Sequence, residues 1–351
     1  MQSESIQNIL DRYNDIATLF PTELNDVQKL PLFIEWLLEK VVLVEVRAYS
    51  MDNAYSIFET MNDRGLSLNP TEILKGYLLS KIVENSSENE EKAEEANKFW
   101  TERINKMRTI TSTENVDMDF FRAWLRAKYA DTQRSRKTGS ENEDFELIGT
   151  QFHSWFKNNT SKIQLTKALD YYFFIKSDFD FYSSLYIRIY KNKYTYNTIC
   201  PELYLNSIYS IADSLSYPLF LSSITKIDDE SIIDSKISII ARFIDRYANI
   251  RTLQNKNITQ SSIRIGIYEL VKQIRNTNES SLANILDSEI QKLLSSSNLG
   301  IYIPMRTMNN NGYFHYLFAR IKYHIEDKNE LCRFSDLLRS RKHSSFILYP
   351  I

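Results

Sequence analysis

A chain of 351 residues, 43% of them hydrophobic, can form one large core or two ordinary ones. Its formal net charge of −2 excludes a global electrostatic pull toward nucleic acid or membrane. Only 7 Gly and 7 Pro stand against 22 Tyr and 19 Phe, which disfavours a turn-rich β fold and favours long helices. The two cysteines, Cys200 and Cys332, lack paired spacing, so a reducing compartment is expected and neither a disulfide framework nor a zinc ribbon. No secretory signal opens the sequence, and no apolar run approaches the roughly 20 residues a bilayer span needs. A cytoplasmic protein without a membrane partner is expected.

Taken in chain order, Ile6, Ile9, Leu10, Tyr13, Ala17 and Phe20 recur at helical spacing and end at Pro21. A second helix is expected around Leu32, Phe33, Trp36 and Leu37, with Pro31 near its start. VVLVEV, residues 41–46, is short, apolar and β-branched, and predicts the one clear strand, near 41–48. A lone strand leaves backbone donors and acceptors unmet, so it needs partners from elsewhere.

The most concentrated set of signals lies between Ala54 and Ser80. Ala54, Ile57, Phe58 and Met61 share a helical face that runs into Asn62-Asp63-Arg64-Gly65, where Gly65 can take the positive φ that ends a helix. Asn69 then suits an N-cap, Pro70 the first helical position and Glu72 a capping box. Ile73, Leu74, Tyr77, Leu78 and Ile82 form the buried face of the next helix. A guanidinium beside a helix N-terminus favours an anion. A tight helix–helix corner in which Arg64 pairs with Asp63 or Glu72 uses the same residues, and both readings stand.

This stretch resembles the hallmark of GmrSD-type modification-dependent restriction proteins. The match falls on Phe58, Glu59, Asn62, Arg64, Gly65, Leu68, Leu74 and Lys75, over about forty residues. The resemblance implies the closing part of a ParB/sulfiredoxin-like domain and a nucleotide or phosphate site built from Asn62, Asp63, Arg64, Gly65 and Lys75. The family's Asp-Gly-Gln-Gln-Arg signature and its HNH-type nuclease motif do not occur in these residues. The resemblance therefore implies a fragment or split component, not catalytic alone, that uses a nucleotide only with a complementing upstream half-domain or a nuclease subunit.

Residues 84–95 form an acidic stretch expected to be a loop leading into a helix through Phe99, Trp100, Ile104 and Met107. In VDMDFFRAWLRAKYA, Val116, Phe120, Phe121, Trp124 and Leu125 make a buried face, with Arg122 and Arg126 on the other side. Residues 131–146 are polar and expected to be a flexible loop. Arg122, Arg126, Arg134, Arg136 and Lys137 form the most basic window, suited to DNA phosphates; Glu141, Glu143, Asp144 and Glu146 offer neutralisation within the chain.

From Phe145 to about Asn298 helix follows helix, including one expected across CPELYLNSIYSIADSL. Tyr171, Phe174, Tyr182, Tyr186 and Tyr190 sit on periodic faces that read as core. A further helix is expected through Tyr316, Leu317, Ile321 and Ile325. The four histidines have no metal-ligand spacing, and no Walker loop or nucleophile elbow occurs. The expectation is a mainly α, multi-helical protein with a small α+β remnant in 1–85 and a helical domain in 86–351. The alternative function is a non-enzymatic helical scaffold or interaction module.

Overall fold

The computed structural model describes residues 4–42, 69–83, 89–113, 115–135, 137, 139–196 and 200–295, with Tyr313, Tyr316 and Leu317. Helices are numbered in chain order among these. Two compact units divide between Thr60 and Met61. In the first, α1 (Glu4–Leu19) and α2 (Lys29–Lys40) carry the amphipathic patterns expected of them, joined through a 3₁₀ turn at Thr22–Asn25. No strand occurs among the described residues. Val41 and Val42 are irregular, and residues 43–48 of the expected strand lie outside the described set.

The second unit is built from helices. It comprises α3 (Pro70–Val83), α4 (Glu90–Thr111), α5 (Val116–Lys128), α6 (Asp144–Asn158) and α7 (Ala168–Phe173). A π-helical turn at Phe174–Phe179 carries α7 into α8 (Asp180–Tyr194), so IQLTKALDYYFFIKS and FDFYSSLYIRIYKN, whose patterns read as two helices, run on without a break at residue 179. Then come α9 (Pro201–Leu205), α10 (Asp213–Ser223), α11 (Glu230–Leu253), α12 (Gln260–Gln273) and α13 (Glu279–Ser295). The single helix expected across 200–215 is thus two short ones, broken between Asn206 and Ala212.

Local chemistry explains the ends. Asp229 caps α11 by accepting the Ile232 N–H at 2.9 Å, as an N-cap carboxylate should. Glu90 and Glu91 open α4, Arg108 sits in its last turn, and Ser112 stops it with a left-handed φ of 53°.

Two helices buried nearly all round, α5 and α10, pack on each other at the centre. Trp100, Phe120, Phe121 and Trp124 are 0% exposed and interlock with Phe174 and Phe179. Burying each such ring contributes about 2–3 kcal/mol. Tyr171, Phe174, Tyr182 and Tyr186 are core residues, as their spacing implied. The helix α3, expected to belong with an N-terminal domain ending near residue 85, packs instead on α4, α6 and α7 of the helical body. Tyr313 and Tyr316 dock beside Tyr204 and Leu205, where the Tyr316 hydroxyl bonds the Asp245 carboxylate.

Buried charge finishes the framework. The Lys128 ammonium donates to the Ser222 and Ile224 carbonyls at 2.8 and 2.7 Å and to Asn276 Oδ1 at 2.9 Å. Lys236 donates to the Ser223 carbonyl and to Asp228. Both ammoniums thus meet the negative end of the α10 dipole. Burial, with Arg275 and Lys236 nearby, pushes the Lys128 pKa down to about 7.

Candidate functional site

The motif-bearing corner is described from Asn69 onward; Asn62, Asp63, Arg64 and Gly65 lie outside the described residues. Asn69 works as the expected cap. Its Oδ1 accepts the Thr71 N–H at 2.9 Å, and its carbonyl accepts those of Glu72 and Ile73 at 2.8 and 3.2 Å. Pro70 has no N–H to offer. The first turn of α3 therefore has no free amide for a phosphate, and an anion here would depend on side chains. Lys75 is paired with Glu72 at 2.5 Å, so Glu72 serves an ion pair within α3.

Asn69 also fastens the corner to the body. Its Nδ2 donates to Asp117 Oδ2 at 3.0 Å, and Arg108 Nη2 donates to the same oxygen at 2.9 Å. Asp117 is 0% exposed in the first turn of α5. One carboxylate thereby joins the starts of α3 and α5, whose dipoles favour its charge, to Arg108 at the end of α4. Its Oδ1 and the Thr71 hydroxyl are buried without partners.

The basic window is not one surface patch. Arg126, expected on an exposed face, is 7% exposed. Its Nε and Nη2 donate to the Phe145 carbonyl at 2.9 and 2.8 Å, and its guanidinium lies 5.6 Å from the Tyr268 ring. Arg122 is partly exposed and reaches Asp119 at 3.3 Å. Arg134 sends Nε to Ser140 Oγ at 3.3 Å and Nη1 to Asn142 Oδ1 at 3.4 Å. Lys137 is exposed, and Arg136 lies outside the described residues.

The segment 131–146 is cross-linked to itself. Asp144 accepts the N–H groups of Asp131 and Thr132, the Trp155 indole N–H at 2.8 Å and the Lys162 ammonium at 2.7 Å. Burial pushes the Asp144 carboxyl up, but Lys162 and these N–H donors outweigh it and hold it below the usual carboxylate range.

Arg122 and Arg126 do meet, inside a cavity of about 290 Å³ between α5, α8 and the start of α10. Tyr186, Tyr190 and Tyr194 wall it from α8, with Asp213, Ser214 and Tyr217 from α10. Tyr186 and Tyr217 stack with centroids 4.3 Å apart. Asp213 is paired with the buried Lys193, and the Tyr190 hydroxyl donates to the Thr111 carbonyl at 2.9 Å. Sequence reasoning assigned Tyr186 and Tyr190 to core packing and passed over Tyr194, Tyr217 and Asp213. The signal for α8 was available, because three tyrosines at four-residue intervals are more polar than a sealed face requires.

Elsewhere the chemistry is sparse. Among the described residues no group of three His, Cys, Asp or Glu side chains is placed to hold a metal. Cys200 is buried, and burial pushes its thiol pKa up. No described helix is long and apolar enough to cross a membrane.

Fold and site together define a multi-helical body with a capped corner at α3 and a polar, tyrosine-walled cavity along α5. No family model, no curated protein and no solved structure matches the chain.

Proposed function

We propose that the chain is the positioning part of a cytoplasmic restriction or phage-defence protein of the GmrSD type, and not a catalyst by itself. In this reading Asn62, Asp63, Arg64 and Gly65, with Lys75 released from Glu72, hold a nucleotide phosphate once a complementing upstream segment is present. The observation that supports it is the bolting of α3 into the helical body. Asn69, the residue just after the motif, is tied through Asp117 to Arg108, and Leu74, Leu78 and Ile82 are at most 1% exposed. The start of α3, fastened in this way, offers the kind of rigid support that site-bearing scaffolds require.

The test mixes the chain with a polypeptide carrying the Asp-Gly-Gln-Gln-Arg signature and measures association and nucleotide affinity. The expected result is a complex that binds nucleotide and loses that binding in Arg64→Ala. Absence of both association and nucleotide binding, in every combination, defeats the reading.

A second reading, a helical scaffold that contacts protein alone, is favoured by one observation. Arg126 and Arg134 are engaged with acceptors of the chain itself. It predicts no salt-dependent DNA binding; a salt slope reduced in Lys137→Ala would count against it.

A further inference from the structure

The cavity between α5, α8 and α10 differs from a packing void in its unmet hydrogen-bond donors. A dry void is lined by apolar side chains, whereas here one guanidinium nitrogen and one phenol hydroxyl are buried without acceptors. Tyr217 is 3% exposed, and its hydroxyl has no partner. The Arg122 Nε is buried and also unpartnered. Arg126 gives Nε and Nη2 to the Phe145 carbonyl, which leaves Nη1 as its remaining donor group. Buried donors left unmet are costly, and each one in a native fold calls for an explanation.

The walls narrow the choice of ligand. Tyr190 and Tyr194 are the more exposed of the lining tyrosines, with ring centroids 4.8 Å apart and planes tilted by 51°. Tyrosine faces stack on nucleobases of any sequence. Guanidiniums with free N–H groups suit phosphate oxygens better than any neutral group. Asp213, held by Lys193 at the uncapped start of α10, adds an acceptor for an amino group. The size is at the lower end of small-molecule pockets, which span roughly 300–1,000 Å³.

We propose that this cavity binds a nucleotide, with the base against Tyr190 and Tyr194 and the phosphate at Arg122 Nε, Arg126 Nη1 and the Tyr217 hydroxyl. A free mononucleotide and the phosphorylated end of a strand share this chemistry. The proposed contacts include none of residues 62–65, and the proposal does not depend on the reading given to that motif.

The experiment is calorimetric titration of the full chain with the four mononucleotides, a short oligonucleotide bearing a terminal phosphate, and inorganic phosphate. The variants are Tyr217→Phe and Arg122→Gln; Arg126 is left intact because it also holds the fold. Tyr217→Phe removes one hydroxyl, so nucleotide affinity should fall roughly five- to tenfold. The melting temperature of the unliganded protein should not fall, because that hydroxyl makes no bond there. Arg122→Gln should weaken binding at least as much. Saturation by mononucleotides supports a free-nucleotide site, and saturation by the oligonucleotide alone supports a strand-end site. The proposal is overturned if neither saturates at millimolar concentration, if inorganic phosphate binds as tightly as nucleotide, or if Tyr217→Phe binds unchanged.

Discussion

The fit of Gly149 against Arg126 gives a test in which the sign of an effect reverses. A Cβ built on Gly149 would overlap Arg126 Nη2 and stand 3.3 Å from its Cζ. The guanidinium cannot yield freely, because Nε and Nη2 both hold the Phe145 carbonyl and the Tyr268 ring lies beside it. Gly149→Ala therefore displaces Arg126 and loses charged-donor hydrogen bonds worth about 1.5–3 kcal/mol. Against that, alanine is favoured over glycine inside a helix by about 1 kcal/mol. The net expectation is a loss of about 0.5–2 kcal/mol. In an Arg126→Met background the obstacle is gone, and the same substitution should stabilise by up to about 1 kcal/mol. Urea unfolding of the four proteins, followed by far-ultraviolet circular dichroism, closes the double-mutant cycle. A stabilising Gly149→Ala in the parent, or equal effects in both backgrounds, would refute the clamp.

The Asp117 junction should behave as a buried anchor. Asp117→Ala strips the acceptor from Asn69 and Arg108 and is expected to cost about 2–3 kcal/mol in the same urea assay, with Asn69→Ala costing about 1 kcal/mol. Alkaline unfolding should be steep. Burial holds the phenols of Tyr129, Tyr182, Tyr186 and Tyr217 well above the usual tyrosine pKa, so their contribution is complete below about pH 10 and lost as pH rises beyond it. Four such phenols remove up to about 5 kcal/mol per pH unit, and phenolate absorbance should rise together with loss of helix; titration of these tyrosines in the intact fold would contradict it. Lys128 has the opposite sign, because only the unfolded chain keeps its proton between about pH 7 and its ordinary range. Its share makes stability climb with pH across that window, before the phenols reverse it.

Periodicity carried most of the fold. The apolar spacing in FELIGTQFHSWFKN, DSKISIIARFIDRYANI and SSIRIGIYELVKQIRN matches the helices α6, α11 and α12 to within a few residues because those faces pack against a continuous core. It failed where apolar residues bridge a turn. Leu205, Ile208 and Ile211 keep a helical rhythm across the break after α9, and Asn206 and Ser207 alone do not mark a stop. Charge misled in α5, where Arg126 is expected on the side opposite the buried face, and Lys128 follows two residues on. Both are drawn inward by carbonyls of Phe145, Ser222 and Ile224, acceptors that no local pattern announces. The cavity was half legible: Tyr186, Tyr190 and Tyr194 share one face of α8, but Tyr217 and Asp213 arrive from a helix some twenty residues on.

One helix links the two candidate sites, and its packing bears on whether they communicate. Asp117, in the first turn of α5, holds the corner beside Asn69, while Arg122 and Arg126 line the cavity farther along. Between and beside them Phe120, Phe121 and Trp124 are 0% exposed and stacked on Trp100, Phe174 and Phe179. A helix wedged this tightly has no continuous path for small shifts, since cores at this density move between discrete arrangements or hardly at all. Coupling would need a second packing of those rings, all of which are sealed from solvent and in mutual contact. The sites should therefore act independently. Arg64→Ala should leave nucleotide titration of the cavity unchanged, and Tyr217→Phe should leave association with an upstream segment unchanged. A shift in either direction would mean that α5 moves as a lever, and the account of the aromatic cluster as a fixed wedge would have to be given up.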